Sequence, residues 1–314
     1  MGFAMKLSVV IPVYNEEKAI EANFSAIYDT LKGVADELQF VLVDDGSKDG
    51  TWLALEKLSG EYGEIIAVRF ARNFGKEMAI SAGIDYTDGD RTIVMDSDLQ
   101  HPPKHIASMM KTMDETDCDI VEGIKSDRGK ESLKYKLCAK TFYKLLHLVS
   151  GMKMENSTDF KLMNRKVVDA IKRFKESNLF FRGVVDWCGF DRVEHPFEVE
   201  ERTAGKTSFS VFKLMKLSMD AVVSHTSRPL YLTVFIGAVF LIFAIVLGIQ
   251  SLYNYFAGIA QNGFSTVILI VLIASSLIMI SMGIVGVYIS RIYDEVKGRP
   301  RYLVSAELGK SKDI

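Results

Sequence analysis

Between residues 230 and 290 this chain is almost free of charge. Leu230 to Phe256 and Phe264 to Ile289 form two apolar stretches, and neither contains a Lys, Arg, Asp or Glu. Each exceeds the roughly 20 residues a helix needs to cross a hydrocarbon layer about 30 Å thick. Buried helices of soluble proteins rarely run so long without a charge. The intervening Ala257–Gly263 is short and uncharged. Lys213, Lys216 and Arg228 precede the first stretch, and Arg291, Lys297, Arg299 and Arg301 follow the second. The positive-inside rule then puts both chain ends, and the domain formed by the first 228 residues, in the cytoplasm. The expected organisation is a catalytic domain over 1–208, an amphipathic juxtamembrane helix over 209–228, a two-helix transmembrane hairpin over 229–290, and a cytoplasmic tail over 291–314.

Two segments ahead of the hairpin have the pattern of interfacial helices. Residues 209–223 place Phe209, Phe212, Met215, Met219 and Val222 at helical spacing, with Lys213 and Lys216 off that stripe. Residues 133–149 carry Cys138, Phe142, Leu145 and Val149 on one face and Lys136, Lys140 and Lys144 on another. Basic amphipathic helices lie in the headgroup layer and attract anionic lipids. A core helix with a solvated lysine face has the same pattern.

The rest of the chain is mixed in composition. A net charge of −2 gives no sign of a nucleic-acid binder. Cys118, Cys138 and Cys188 form neither a disulfide framework nor a CxxC zinc pattern. The apolar Leu7–Ile11 is too short for a secretion signal and reads as a strand.

From there, strands and helices alternate. Strands are expected at Lys6–Ile11, Gln39–Val43, Ile65–Phe70, Arg91–Met95 and Asp119–Glu122, with helices over 16–32, 50–62, 76–86 and 102–115. Such alternation implies a parallel, doubly wound sheet. Ligands of such sheets bind beyond the carboxyl ends of the strands. Polar clusters fall there: Tyr14-Asn15-Glu16, Asp44-Asp45, Arg72-Asn73 and Asp96-Ser97-Asp98. One such cluster is ordinary turn chemistry; four on one rim point to a site.

Asp96 and Asp98 follow the apolar Ile93-Val94-Met95. In an extended chain, residues two apart face the same way, so both carboxylates would meet one hard divalent cation and, through it, a substrate phosphate. Two nucleotide motifs are missing. No GxGxxG follows the first strand, and Ala204-Gly205-Lys206-Thr207 fails as a phosphate loop because Glu200 stands where its first glycine belongs.

The sequence resembles family 2 glycosyltransferases, and within them the polyprenyl-phosphate hexosyltransferases, which include bactoprenol glucosyltransferases and dolichol-phosphate mannose synthases. The matching segments are Val10-Ile11-Pro12-Val13-Tyr14-Asn15-Glu16, Val43-Asp44-Asp45-Gly46-Ser47, Arg72-Asn73-Phe74-Gly75-Lys76, Asp96-Ser97-Asp98-Leu99-Gln100-His101-Pro102-Pro103, Asp159-Phe160-Lys161-Leu162 and Arg202-Thr203-Ala204-Gly205-Lys206-Thr207-Ser208. The resemblance implies a GT-A, Rossmann-like, mostly parallel α/β sheet followed by interfacial helices and the transmembrane hairpin. It also implies an inverting hexose transfer from a nucleotide sugar, with UDP-glucose favoured over UDP-N-acetylglucosamine, UDP-galactose and GDP-mannose. The acceptor would be a polyprenyl (undecaprenyl) phosphate.

The same resemblance assigns residues to roles. Pro12, Tyr14, Glu16, Asp44, Asp45, Arg72 and Lys76 would hold the nucleotide sugar. Asp96 and Asp98 would hold Mg2+ or Mn2+ with the diphosphate, Gln100 would lie close to sugar and metal, and Asp98, Gln100 and Asp159 would form the catalytic set. Arg202, Lys206 and Ser208 would meet phosphate, in line with the preference of phosphates for charge-assisted bonds. A homo-oligomer is also implied. Asp159 corresponds to a catalytic carboxylate, yet a phosphate acceptor is already largely ionised near neutral pH and hardly needs a base. Asp159 would therefore orient a substrate group or, alternatively, cap a helix starting at Phe160. Two other readings fit less well. A processive polysaccharide synthase would carry a QxxRW motif, and none is present. A non-catalytic nucleotide-sugar sensor would need neither both aspartates nor a basic loop.

Overall fold

A computed structural model describes residues 4–125, 157–176, 179–197, 228–258 and 263–309. The chain divides into two compact units. One holds the sheet, its helices and the residues from Pro300 onward; the other holds the two long apolar helices. The expected interfacial helices at 133–149 and 209–223 lie outside the described residues, as do Arg202, Lys206 and Ser208.

The first unit starts with the expected alternation: β1 (Lys6–Val13), α1 (Ile20–Leu31), β2 (Glu37–Asp44), α2 (Thr51–Glu61), β3 (Ile65–Phe70), α3 (Lys76–Asp85), β4 (Arg91–Val94), α4 (Lys104–Thr116) and β5 (Ile120–Lys125). It continues with β6 (Ser157–Asn164), α5 (Arg165–Ile171), α6 (Phe181–Trp187) and β7 (Arg192–Phe197). After α7 (Arg228–Phe256) and α8 (Phe264–Val296), the chain returns to the sheet as β8 (Val304–Leu308). The strand order is β7-β5-β6-β4-β1-β2-β3-β8.

Strands β4, β1, β2 and β3 pair in parallel, as expected. Beyond β4 the pairing is mixed, so the sheet is the mostly parallel one expected rather than a purely parallel one. Strand β6 enters between β4 and β5 and runs antiparallel to both. Asp159 lies inside β6, so it caps no helix.

Apolar residues on both sides of the central strands explain why helices cover both faces. Leu7, Val9 and Ile11 join a core with Phe24, Leu55 and Ile106 from α1, α2 and α4. Val10, Val41 and Val43 join another with Ile80, Val168 and Phe181 from α3, α5 and α6. On that second side α3 lies so close to the sheet that a Cβ at Gly83 would stand 2.3 Å from Val10 Cγ1. Glycine there lets the helix bearing Lys76 sit directly on β1.

In the second unit, α7 and α8 contain stretches of 24 and 28 residues long and apolar enough to cross a membrane. Phe235, Ile249 and Met279 are more than 60% exposed. In a soluble protein such side chains would be packed in a core.

Strand β8 covers the β3 edge of the sheet, antiparallel to β3. Just before it, Arg301 Nη2 lies 3.2 Å from Asp85 Oδ2, and the Tyr302 hydroxyl donates to that same oxygen. The Tyr302 ring stacks on Phe70. The segment expected as a tail contributes a strand to the sheet.

Candidate active site

The loops after β1, β2 and β3 are tied to one another by their own polar groups. Asn15, in a left-handed conformation at φ 53°, donates its N–H to Ser47 Oγ and accepts from Lys48 N. Glu16 N donates to Thr51 Oγ1. Asp45 accepts from Phe74 N and Gly75 N, so it fixes the loop that delivers Lys76 to the start of α3. Burial pushes the Asp45 carboxyl up, against the pull of these two backbone donors. Gly46 (φ +65°) is required where it stands, because a Cβ there would lie 2.4 Å from the Arg72 carbonyl carbon.

These ties bear on the expected donor contacts. Asp44 is fully buried; its Oδ1 accepts from Ser47 N, and its Oδ2 lies 3.4 Å from Arg69 Nε. It shapes the turn from beneath. Pro12 is buried in β1. Tyr14 is 43% exposed beside it, and exposed Arg72 lies over the Phe74 ring.

Asp96 follows β4. The backbone turns at Ser97 and Asp98, so the argument from an extended chain does not hold here. Asp98 Oδ1 accepts from Gln100 N, and Leu99 takes φ 60°. A bulky residue in that region is strained and persists only where its surroundings hold it. Asn23 Nδ2 donates to Ser97 O, and buried His101 accepts from Asp96 N while its ring stacks on Phe160.

The decisive contacts come from residues far apart in sequence. Lys76 Nζ lies 2.6 Å from Asp96 Oδ1 and 2.8 Å from Asp159 Oδ2. Arg182 Nε, on α6, donates to Asp159 Oδ1 at 2.6 Å. Burial alone would raise the Asp159 carboxyl, but Arg182 and Lys76 hold it well below the usual carboxylate range. Burial likewise opposes the charge on Lys76, and Asp159 and Asp96 overcome it, so its affinity for a proton rises. Next to Lys76, Glu77 accepts from Phe181 N and ties α3 to α6. Burial, and then the Asp159 charge, push Glu77 up to about 7.

Asp159 is therefore a fixed anion between two cations. A carboxylate held this far down is a poor proton acceptor and a good organiser of charge. The sequence singled out Lys76, Asp96 and Asp159 but not Arg182 or Glu77. An Arg inside the apolar run Leu179-Phe180-Phe181-Arg182-Gly183-Val184-Val185 was the available signal.

The donor set suits a hard divalent cation. Asp96 Oδ1 is buried, with the Lys76 ammonium as its ion-pair partner. Among the described residues, no group of three acidic, His or Cys side chains gathers here or elsewhere. A cation at Asp96 and Asp98 would take its remaining ligands from phosphate oxygens and water, the usual pattern for Mg2+ at nucleotide sites.

The sheet is mostly parallel, and carboxylates and cations gather at the ends of its strands. Residues 8–172 match the family model described as Glycosyl transferase family 2. The chain is 36% identical to the uncharacterized glycosyltransferase YkcC of Bacillus subtilis, over 98% of this chain and 96% of that one. It is 34% identical to the bactoprenol glucosyl transferase of Shigella phage SfX, over 96% of this chain and 99% of that one. A solved structure, glucosyl-3-phosphoglycerate synthase of Mycobacterium tuberculosis with Mn2+ and UDP-glucose, resembles 71% of this chain and 79% of its own at 17% identity, with a TM-score of 0.49. The chain belongs to glycosyl transferase family 2 and is a glycosyltransferase.

Proposed function

We propose that this enzyme transfers a hexose, glucose from UDP-glucose before other donors, to a polyprenyl phosphate at the cytoplasmic face of the membrane. The product would be a lipid-linked sugar donor for modifying cell-envelope glycans. One observation carries the site chemistry: Asp159 binds Lys76 and Arg182 together beside Asp96, so two cations and a cation-binding carboxylate share one end of the sheet. That is the charge pattern a diphosphate leaving group needs. The acceptor is supported by relatives named bactoprenol glucosyl transferase that match nearly the whole chain. The membrane location is supported by α7 and α8.

In this reading Asp96 and Asp98 hold Mg2+ or Mn2+, whose charge offsets the negative charge that builds on the departing diphosphate. Lys76 and Arg182 add positive charge to the same end, and Asp159 pairs with both. The turn at Ser97-Asp98-Leu99, held by Asn23 and His101, sets Gln100 next to the metal aspartates. Tyr14, Glu16 and Arg72 line the entrance for the nucleoside, and Asp45 shapes it by holding the 74–75 loop. Arg202, Lys206 and Ser208 are assigned to the acceptor phosphate. The acceptor oxygen attacks the anomeric carbon in line, inverting it, with no protein base. Positioning supplies most of the acceleration.

The test is transfer of label from UDP-[14C]glucose to undecaprenyl phosphate, read in the organic phase. Label should appear, disappear with EDTA and return with Mg2+ or Mn2+. Label only from UDP-N-acetylglucosamine, UDP-galactose or GDP-mannose would overturn the choice of sugar. Donor binding without any transfer would point to a sensor instead.

A further inference from the structure

We propose that Lys76 is a built-in cation that occupies the Asp96 carboxylate until a nucleotide diphosphate arrives, so that divalent ion and donor enter the site together. The inference rests on the metal role given to Asp96 above. It goes further by assigning Lys76 a competing position in the donor-free enzyme and by setting the order in which ligands bind.

The first support is geometric. The Lys76 ammonium bridges two carboxylates from different elements, Asp96 after β4 and Asp159 in β6, at 2.6 and 2.8 Å. Asp96 Oδ1 is buried, and the Lys76 ammonium faces it, at the oxygen a metal ion would take. A bare metal ion must displace that ammonium from Asp96.

The second support is that displacement leaves little uncompensated. Asp159 has its own second cation, because Arg182 Nε donates to Oδ1 while Lys76 holds Oδ2. When Lys76 lets go of Asp96, Asp159 remains neutralised. The mobility is also on the right partner. The Lys76 side chain is 44% exposed on a flexible stem, whereas that of Asp159 is 3% exposed and fixed within a strand.

The third support is charge balance. A divalent ion alone adds two positive charges next to Lys76 and Arg182, which repel it. A divalent ion together with a nucleoside diphosphate sugar, whose two phosphate groups carry one negative charge each, leaves the net charge of the cluster unchanged. The displaced ammonium then faces diphosphate oxygens in place of Asp96. The site therefore selects the pair over either charge alone, a coupling that runs both ways by linkage.

The test uses the full chain in detergent, with Mn2+ as the probe and its free EPR signal as readout, with and without UDP. Signal from the Mn2+–UDP complex in buffer is subtracted. Wild type should bind Mn2+ alone weakly and about tenfold or more tightly with UDP present. Lys76→Met and Lys76→Gln should each bind Mn2+ alone about tenfold more tightly than wild type, because one opposing charge a few ångströms away is gone. UDP should then add less, and Lys76→Arg should behave as wild type. Thermal melting of each variant establishes that it is folded, and two neutral replacements guard against the failure of one. If wild type binds Mn2+ with UDP but neither neutral variant gains affinity without it, the placeholder role is overturned and the metal site stands. If wild type binds no Mn2+ even with UDP, the metal role of Asp96 falls too.

Discussion

Strand β6 carries two charged residues two positions apart, Asp159 and Lys161, and their surroundings could hardly differ more. Lys161 is 1% exposed and ion-paired to Glu122, itself 6% exposed, with Arg192 at 3.9 Å from the second Glu122 oxygen. Asp159 is equally buried, but its partners Lys76 and Arg182 have side chains 44% and 33% exposed, and through Lys76 the cluster reaches Asp96. The Lys161–Glu122 pair is buried on both sides, with Arg192 reaching it from a 40% exposed position, whereas in the Asp159 cluster both directly bonded cations open outward. Proton affinities follow. Burial lowers that of Lys161 although Glu122 pulls it back, whereas in Lys76 two carboxylates prevail over burial and raise it. A closed ion pair reports on folding, while an open cluster of unequal charges is free to exchange partners with a ligand.

The largest effect should come from breaking the closed pair. Lys161→Met removes the ammonium paired to buried Glu122, and removing one partner of a buried pair typically destabilises by about 3–5 kcal/mol. Thermal and denaturant melts of the full chain in detergent read this. The double change Glu122→Leu/Lys161→Met should recover most of the loss. A loss under about 1 kcal/mol in the single variant would mean that Arg192 suffices, and the contrast would be gone.

Breaking the open cluster should act on turnover instead. Asp96→Asn should lower transfer about 100- to 1000-fold, the range seen when one preorganised charge-stabilising group is removed. Its melting temperature should stay within a few degrees of wild type. A large drop in melting temperature would place Asp96 with the structural pairs.

The smallest effect is a pH dependence at the base of the open cluster. Glu77 in the folded chain is pushed to about 7 by burial first and the Asp159 charge second, from an ordinary value of 4.5. The folded form then holds its proton where the unfolded chain has lost it. The contribution to stability is full below about 4.5 and is lost as pH rises toward 7. Glu77→Gln should flatten the melting temperature across that window, and an unchanged slope would remove Glu77 from the account.

The half of the sheet that the sequence revealed is the half built from apolar strands. Val9-Val10-Ile11, Val41-Leu42-Val43 and Ile93-Val94-Met95 are apolar on both sides and end in turn residues, so period and punctuation agree. Strand β6 broke that rule. Thr158, Asp159 and Lys161 are buried and polar, and they are tolerated because Gly123 O, Arg182, Lys76 and Glu122 satisfy them. None of those partners is local, so no window of the sequence displays them. Strand β8 stayed hidden for another reason: Val304–Leu308 is short and lies among charged residues, and only the edge it covers makes it a strand. In the site, Lys76, Asp96 and Asp159 stood out through family motifs, whereas Arg182 is visible only once α6 is packed against β6. The burial of Asp44 is not legible, because a carboxylate at a strand end looks the same in sequence whether it faces solvent or its own turn.

Strand β8 has a further consequence. It pairs with β3 yet follows both apolar helices in the chain, so the sheet that bears the active site cannot be completed during synthesis until the hairpin has been made. Cutting the protein ahead of Arg228 would discard both apolar helices and strip the last strand from the β3 edge. The liberated domain would present bare backbone donors and acceptors, ready to pair with its neighbours.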